Sequence, residues 1–540
     1  MKRIFKWVCL AMTVCILMGS LAGCGKSNNE KDSNVTDTNT DKKADTDATP
    51  VADKAAATSI TIGTSDAWDT LTPIRTTQSQ YSSMVRFLYD RLAYQTADNK
   101  FIPQVAKSWK VDADGITWNV EIYDYVEDSA GNHITADDIV WMLQESMKQK
   151  LKPCYNKIAS VEKTGDYTLK VVMKQDIVNA FETILVSTYI VSKKAYDESA
   201  DSFATKIVST SPYTVAEFVS GSHITFQKRD KYWQKEELID PVLTSNLNTI
   251  TYKVIKEAAQ QQVALETGTV DVFDTISASI VPAFEGNNSY EIVKLPSSNG
   301  LQLFYSGDAS RIIAKNENLC RAISYAIDAE GIIKGVYSGY ASVMHDVAIK
   351  NVVGYLPKWD NEEYFPYSVD KAKEYLKQSG YKGEELTMLS MSDTTSQRVA
   401  QMIQNYLLAV GINLKLNIVD SALFSATRFD GAQYDMIIVS VGAGSLPAVW
   451  SNRFDSKAYE KGDGTARKDE ALTEMLYSTW TKDGFTEENI DAVHKYLIDH
   501  AYAYGICLPT NCTVISNKLT MKEKVYLPAG TVDFAACVYK

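Results

Sequence analysis

The stretch VAQMIQNYLLAVGINLKLNI, residues 399–418, decides the fold class of this chain. Between Val399 and Val410 apolar residues recur three and four positions apart, which predicts a helix with one buried face. Gly411 predicts the end of that helix, because glycine readily takes the left-handed conformation of a C-terminal cap. Alternating apolar residues from Ile412 to Ile418 predict a strand. A helix followed at once by a strand favours a mixed α/β fold.

The flanking sequence extends this pattern on both sides. A short helix is predicted from about Asp370 to Gly380, and the apolar run 436–439 predicts a strand covered on both faces. From residue 370 to residue 441 the predicted order is therefore helix, strand, helix, strand, strand. Farther away, Thr135 and Asp138 have the spacing of a capping box at a helix start. A second helical stripe covers residues 319–327, and alternation at 118–122 predicts a further strand.

The N-terminal segment has the composition of an export signal. Basic residues at positions 2, 3 and 6 precede an apolar run at 7–18, and small residues stand directly before Cys24. This is typical of a secretory signal peptide, and the run is too short to favour a membrane-spanning helix. The cysteine after small residues resembles a bacterial lipobox. Residues 1–23 are therefore predicted to be a lipoprotein signal peptide and Cys24 the lipidated residue, with an ordinary signal and an incidental cysteine as the alternative.

The amino-acid composition distinguishes a polar N-terminal segment from the rest of the chain. Residues 24–58 are polar and contain almost no large apolar side chains, which predicts a flexible tether. The formal net charge is −12, and removal of three basic residues with the signal would leave −15. Nucleic acids are held mainly by Lys and Arg, so this charge argues against a nucleic-acid partner.

Motifs of catalysis and cofactor binding are missing from the sequence. It has no G-x-x-x-x-G-K-[ST] loop, no H-E-x-x-H and no C-x-x-C. The histidines are scattered in a way that suits no metal site, at positions 133, 223, 345, 494 and 500. We therefore expect no enzyme, no catalytic residue, no cofactor and no metal. A hydrolase that uses two carboxylates needs no motif and stays open as an alternative.

The cysteines after Cys24 do not define a disulfide framework. Cys507 and Cys512 could pair with each other, and Cys537 could pair with either, so the pairing stays open. Cys320 lies in a predicted helix, where a free cysteine acts as a small buried apolar residue.

Several segments, read in order, resemble the extracytoplasmic solute-binding proteins of ABC importers, in the family of dipeptide-, oligopeptide- and nickel-binding members. The matching segments are residues 87–92 with 102–109, 112–122, 131–138, 211–233, 264–271, 321–328 and 367–381. Together they extend over most of the mature chain.

This resemblance implies a bilobed α/β fold, similar to periplasmic binding proteins of class II type, with an extra domain inserted in the first lobe. Carried onto this chain, lobe I would comprise residues 59–90, 208–288 and 506–540, the inserted domain 91–207, and lobe II 289–505. The chain would cross between the lobes near Pro296 and again near Leu508 and Pro509, and the lobes would close on a ligand by bending there.

The resemblance also indicates where a ligand would bind. In peptide-binding members a "YD" pair and a strand lead to an aspartate that holds the peptide amino group. Here Tyr434 and Asp435 are followed by the strand, but Gly444 stands at or beside the aspartate position, and no acid lies between Asp435 and Asp455. This departure puts tight binding of free peptide N-termini in doubt. The candidate ligand-binding residues are Trp68, Thr76, Gln78, Phe304, Tyr305, Ser306, Gly442, Gly444, Ser445 and Trp450.

The predicted function is a monomeric, lipid-anchored binding protein on the outer face of the cell membrane. It would deliver a small solute, with a peptide or peptide-like compound as the default, to an ABC permease. Two alternatives remain: an oligosaccharide or other uncharged solute on the same scaffold, and a surface receptor or hydrolase without transport.

Overall fold

The computed structural model describes residues 58–74, 83–344, 346–350, 352–442, 444–457, 464–520, 525–528, 530–536 and 538–539. The predicted signal segment with Cys24 and the predicted tether up to residue 57 lie outside this part of the chain. Thr76, Gln78 and Cys537 also lie outside it. No helix within the described ranges is both long and apolar enough to cross a membrane.

Helices and strands alternate along the described chain. The helices are α1 (Val85–Leu88), α2 (Ala136–Gln149), α3 (Ala180–Ser187), α4 (Lys193–Glu198), α5 (Ala258–Glu266), α6 (Glu317–Ala326), α7 (Ala329–Val336), α8 (Val369–Ser379), α9 (Thr394–Val410), α10 (Ser421–Thr427), α11 (Leu446–Phe454), α12 (Glu470–Ser478) and α13 (Glu487–Asp499). The strands are β1 (Ser59–Thr64), β2 (Ala93–Gln95), β3 (Phe101–Pro103), β4 (Ala106–Val111), β5 (Thr117–Ile122), β6 (Ile158–Gly165), β7 (Thr168–Met173), β8 (Tyr213–Val219), β9 (His223–Lys228), β10 (Thr249–Val254), β11 (Val272–Phe273), β12 (Tyr290–Pro296), β13 (Asn299–Tyr305), β14 (Ala341–Val343), β15 (Leu386–Met391), β16 (Leu414–Val419), β17 (Met436–Gly442), β18 (Ala503–Ser516), β19 (Leu519–Thr520), β20 (Val525–Leu527), β21 (Thr531–Asp533) and β22 (Val538–Tyr539).

Sheet I combines strands from both ends of the described chain. Its order is β8-β9-β10-β1-β11-β18, and β12 pairs with the same half of β18 as β11 does. Strand β1 runs parallel to β10 and β11. Apolar side chains of this sheet, among them Ile62, Phe226 and Tyr252, pack into one buried cluster with α1. The sheet therefore has a core of its own.

Sheet II has the order β16-β15-β17-β13-β18, with β14 also paired to β18. Strand β17 lies between β13, to which it is antiparallel, and β15, to which it is parallel. Residues Met436, Ile437, Ile438 and Val439 are all buried, so the predicted strand covered on both faces is confirmed. A separate hydrophobic cluster, built from residues between Leu301 and Leu508, surrounds this sheet.

A third, four-stranded antiparallel sheet lies in the sequence between β1 and β8, both of sheet I. Its order is β4-β5-β7-β6, and α2 and α3 contribute to its own buried cluster. We call residues 91–207, which include this sheet, the inserted segment. Its last part, with Val191 and Phe203, packs into the core of sheet I.

Strand β18 belongs to both large sheets. Its first half pairs with β13 of sheet II, and its second half pairs with β12 of sheet I, where Pro296 faces Thr510. The backbone N–H of Ser297 donates to the Pro509 carbonyl at 2.9 Å. The two places where the chain passes between the sheets therefore lie side by side.

The local signals in the sequence produce the expected helix ends. Thr135 and Asp138 form a reciprocal capping box at the start of α2, as predicted. Gly380 and Gly411 follow α8 and α9 with φ angles of 68° and 95°, which are left-handed and suit glycine. These predictions are confirmed. Each of these helix ends depends only on residues that are neighbours in the sequence.

Two features of the structure differ from what the sequence suggested: a helix between two predicted strands, and the state of two cysteines. Helix α10 lies between β16 and β17, where no helix is predicted. Cys507 and Cys512 are both free and buried. They lie five positions apart on the extended strand β18, which separates their backbones by roughly 17 Å, whereas a disulfide needs less than about 7 Å. The pairing of these two cysteines is therefore excluded by the geometry of the strand.

Candidate functional site

The predicted ligand loop follows β17 and leads into α11. At Gly442 a side chain would collide with the Ser298 carbonyl oxygen, because an added Cβ would lie 2.1 Å from it. Gly444 has a φ of 85°, a conformation that other residues rarely take. Beyond it, the N–H of Leu446 donates to the Val353 carbonyl at 2.8 Å. The glycines thus let the loop turn sharply against the start of β13.

This loop forms one wall of a cavity of about 270 Å³, which we call the loop cavity. The opposite wall belongs to the inserted segment, from the turn before β6 and from α3. The lining residues are Lys152, Cys154, Lys157, Val178, Asn179, Ala180, Thr183, Ser187, Gly442, Gly444, Ser445, Ala448 and Asn452. The volume is near the lower end of the range of small-molecule sites, about 300 Å³.

Hydrogen bonds connect the two walls. The N–H of Val178, just before α3, donates to the Trp480 carbonyl at 2.8 Å. The Trp480 indole N–H donates in turn to the hydroxyl of Ser451 on α11 at 2.8 Å. The inserted segment is therefore held against the helix that follows the ligand loop, and the cavity lies between them.

The charged groups of the loop cavity are lysines. Burial lowers the pKa of Lys152 to about 8, and the nearby Arg91 cation adds to this. Its ammonium donates to the Tyr189 hydroxyl at 3.3 Å and lies 4.6 Å from the centre of the Tyr189 ring. Burial also lowers the pKa of Lys157. No Asp or Glu is among the lining residues.

Uncharged polar groups of the inserted segment line the same cavity. The Ser187 side chain is 1% exposed, and its hydroxyl has no nitrogen or oxygen partner within the described ranges. Its neighbour is the Cys154 thiol, whose pKa is raised by burial, so the thiol stays neutral. A thiol is a weak hydrogen-bonding group, which leaves the Ser187 hydroxyl free to serve a ligand.

Of the predicted site residues, the structure brings Gly442, Gly444 and Ser445 together at the loop cavity. Trp450, on α11, is 1% exposed and packs in the core of sheet II, where its indole donates to the Val347 carbonyl at 3.3 Å. It does not line the cavity.

The aromatic and hydroxyl residues of β13 are also placed in the core. Phe304, Tyr305 and Ser306 are buried. The Tyr305 hydroxyl donates to the Cys320 carbonyl at 3.0 Å, and the Ser306 hydroxyl donates to the Gly431 carbonyl at 2.8 Å. In this conformation these three residues face neighbouring elements of sheet II.

Trp68 packs in the core cluster of sheet I and lines a narrow crevice there with Asp66 and Phe218. Its side chain is 3% exposed, and its indole N–H has no hydrogen-bond partner in the described part of the chain. The ligand roles of Trp68, Thr76 and Gln78 stay predictions.

Lys152, Lys157 and Ser187 line the loop cavity and are candidate site residues that the sequence did not single out. The only signal is a local excess of positive charge in an acidic chain, since residues 148–157 read KQKLKPCYNK. A run of lysines is usually a solvated surface, so the signal is weak without the fold.

A second, larger cavity of about 450 Å³ lies on sheet I and the adjoining inserted segment. Its lining includes Arg86, Gln104, Tyr232 and Trp233. Gln104, Tyr232 and Trp233 donate to the buried Asp90 carboxyl, so they already have a structural partner. No residue of sheet II lines this cavity, whereas the loop cavity is lined by the end of β17 and by α11. We therefore take the loop cavity as the candidate site.

Metal coordination has no support in the described ranges. No group of three or more His, Cys, Asp or Glu side chains there is placed to hold a metal ion. His494 is buried at 1% exposure and stacks on Trp359, with ring centres 4.0 Å apart.

Comparisons with known proteins agree with this architecture. The family model described as bacterial extracellular solute-binding proteins, family 5, middle region, matches residues 100–462. The glutathione-binding protein GsiB of Shigella flexneri serotype 5b (strain 8401) is 25% identical over 379 residues, which is 68% of this chain and 70% of that protein.

Solved structures resemble the fold over most of the chain. The oligopeptide-binding protein AppA from Bacillus subtilis, in complex with a nonapeptide, has a TM-score of 0.74 at 19% identity, covering 90% of this chain and 99% of that one. NikA from Brucella suis, in complex with Fe(III)-EDTA, has a TM-score of 0.75 at 18% identity, covering 89% and 100%. These similarities confirm the predicted bilobed α/β fold.

Proposed function

This chain belongs to the bacterial extracellular solute-binding proteins of family 5, and we propose that it is the lipid-anchored component that delivers a peptide or peptide-like solute to an ABC import permease. The predicted family is confirmed, and so is the prediction of a solute-binding protein rather than an enzyme. The family name also places such proteins outside the cytoplasm. The cargo, the anchor and the movement belong to the proposal.

The observation that carries the proposal is the loop cavity. It lies between the inserted segment and the loop after β17, and both walls offer polar groups for a small solute. A peptide-like cargo is supported by relatives that are named for glutathione and oligopeptides, since glutathione is itself a tripeptide. A site of this size suits part of a short peptide.

We further propose that lobe I comprises residues 59–90, 208–296 and 510–540 and lobe II residues 297–509, with the inserted domain at 91–207. The predicted boundaries at 288 and 506 are moved because β12 pairs within sheet I and the first half of β18 pairs within sheet II. Bending would occur where the chain passes between sheets I and II, near Pro296 and Leu508–Pro509. Proline has no N–H to donate, so two prolines here weaken the ladder at this place. A solute that binds the closed state more tightly would shift the protein towards it.

Purified mature protein should be stabilised by its solute. At a concentration 100 times the dissociation constant, a ligand raises the free energy of unfolding by about 2.7 kcal/mol. Thermal unfolding of the protein, freed of solute by unfolding and refolding, would be measured with pools of di- to pentapeptides, with oligosaccharides and with metal chelates. Mass spectrometry of the solute that co-purifies identifies the cargo. A flat response to every pool would contradict solute binding, and a response to oligosaccharides alone would contradict the peptide cargo.

The proposed anchor predicts a simple localisation result. In cells, the wild-type protein should incorporate labelled palmitate and sediment with membranes, whereas Cys24→Ser should lose the label and appear in the soluble extracellular fraction. Cys15→Ser is the matched control, because Cys15 lies inside the predicted signal segment and should leave labelling unchanged. Membrane attachment and labelling of the Cys24→Ser protein would overturn the anchor.

A further inference from the structure

The loop cavity is positively charged in a chain that is otherwise acidic. The formal net charge is −12. Yet the charged residues that line the cavity are Lys152 and Lys157, with no carboxylate beside them. The ligand loop adds no negative charge either, since the sequence has no acid between Asp435 and Asp455. The cavity therefore attracts anions and repels cations.

Neither lysine has a counter-ion within the described ranges. Lys152 donates to the neutral Tyr189 hydroxyl, and Arg91 is its charged neighbour. Lys157 has the Cys154 thiol as its neighbour. Water is partly removed from both ammonium groups, which is unfavourable unless an anion approaches. A bound anion would supply the partner that the protein itself does not provide.

The Ser187 hydroxyl is a second and independent sign of a ligand. It is buried, lines the cavity and has no nitrogen or oxygen partner in the described part of the chain. Buried polar groups are almost always hydrogen-bonded in native proteins. A hydroxyl can donate to a carboxylate oxygen, as the two ammonium groups can.

We propose that the loop cavity binds a carboxylate group of the solute through Lys152 and Lys157, with the Ser187 hydroxyl as a further donor. This inference rests on the proposed function, and it adds the chemical class of the cargo: a solute with a carboxylate at one end, such as the C-terminus of a short peptide. The cations come from the inserted segment, and the glycine loop after β17 covers the group from the other side. An uncharged sugar would leave both ammonium groups without a counter-ion.

Affinity should depend on pH through Lys152. The neighbours of Lys152 are Arg91, the Cys154 thiol and Tyr189. Burial raises the pKa of the Cys154 thiol and raises the pKa of Tyr189 to about 12, so both groups stay neutral below pH 9. With a pKa of about 8, Lys152 is charged at pH 7 and largely neutral at pH 9. Carboxylate affinity should therefore be greatest below pH 7 and fall about tenfold between pH 7 and pH 9.

The test uses the full mature protein and three probes: a pool of tripeptides with free C-termini, the same pool amidated at the C-terminus, and inorganic phosphate. Binding is followed by thermal unfolding and calorimetry. The free-acid pool should bind, and the amidated pool should bind at least tenfold more weakly. Equal binding of the two pools would overturn the carboxylate assignment. Protection by phosphate alone would also overturn it, by assigning the site to a free inorganic anion.

Variants locate the effect in the cavity. Lys152→Gln with Lys157→Gln should weaken binding of the free-acid pool by about 10- to 100-fold, because a hydrogen bond to a charged group contributes about 1.5–3 kcal/mol. Lys110→Gln is the control for the loss of a lysine charge elsewhere: it removes one positive charge from an exposed site on β4 and should bind as wild type. Asn452→Asp, an isosteric change at an exposed lining residue, should weaken binding by introducing a negative charge.

Folding is checked separately from binding. Ser187→Ala should weaken binding several-fold while the unliganded melting temperature stays unchanged or rises, since it removes a buried hydroxyl whose neighbour is only the weakly hydrogen-bonding Cys154 thiol. A lower melting temperature with unchanged affinity would assign Ser187 a structural role and overturn its part in the site. If neither these probes nor the di- to pentapeptide, oligosaccharide and chelate pools stabilise the wild type, the proposed function fails. If the amidated pool binds as tightly as the free acid, only this inference fails.

Discussion

Replacing Asp435 with alanine is expected to destabilise the protein by about 3 kcal/mol, the lower end of the range for removing one member of a buried ion pair, because the Arg311 side chain is 25% exposed. The Asp435 side chain is 2% exposed. One oxygen accepts from Arg311 Nε at 3.0 Å, and the other accepts from Arg311 Nη2 and, at 2.7 Å, from the Thr387 N–H. Without it, Arg311 loses its ion-pair partner and keeps only a 3.5 Å hydrogen bond to the Ala432 carbonyl, and the Thr387 N–H loses its acceptor.

Asp435 lies where three strands of sheet II meet. Its backbone N–H donates to the Thr387 carbonyl and its carbonyl accepts from the Ser306 N–H, both at 2.8 Å. These bonds join the start of β17 to the start of β15 and the end of β13. Because β17 lies in the middle of the sheet, its neighbours depend on this attachment.

Equilibrium unfolding in urea, followed by circular dichroism, measures the effect as a lower midpoint. Asp483→Ala is the matched control, because this exposed aspartate lies in the same half of the chain and should leave the midpoint unchanged. An Asp435→Ala midpoint equal to that of the control would show that the ion pair with Arg311 contributes nothing to stability.

Replacing Trp450 with alanine should cost about 3–5 kcal/mol of stability, the usual range for truncating a buried Trp or Phe. Its ring centre lies 6.2 Å from that of His494 and 6.5 Å from that of Trp359, and its indole hydrogen-bonds to Val347. Truncation would leave a cavity between α11 and α13 and would remove one of the two donors to the Val347 carbonyl, the other being the Gln302 side chain.

This variant also distinguishes two roles for the same residue. A core residue loses stability when truncated, whereas a ligand contact loses affinity with little change in stability. Urea unfolding and peptide binding would be measured on the same sample. Leu408→Ala is the control, because Leu408 is 67% exposed and its truncation should change stability by no more than about 0.5 kcal/mol. If the Trp450→Ala variant had wild-type stability but no longer bound peptide, Trp450 would be a ligand contact and not a core residue.

The ends of helices were predictable because they depend on a few neighbouring residues. The capping box at Thr135 and the left-handed glycines after α8 and α9 act through hydrogen bonds within one turn. The fold class was predictable for a related reason: the spacing of apolar residues states which face of each element is buried, whatever covers it.

The roles of the aromatic candidates could not be predicted from the spacing of apolar residues. Phe304, Tyr305 and Trp450 are apolar enough to suit either a core or a cleft, and both surroundings exclude water. In the structure all three pack within sheet II. The alternation of a strand tells which side chains share a face, but it does not tell whether a helix or a solute covers that face.

The sequence by itself determined the family, the α/β order and the glycine loop after β17, because these follow from local pattern and from residues close together in the chain. Only the tertiary structure decided what faces that loop. Lys152, Lys157 and Ser187 are more than 250 positions away from Gly442 in the sequence, and the packing of the inserted segment against α11 places them on one cavity. Residues so far apart along the chain come together only when the chain folds, and no local pattern in the sequence indicates which of them will line the same cavity.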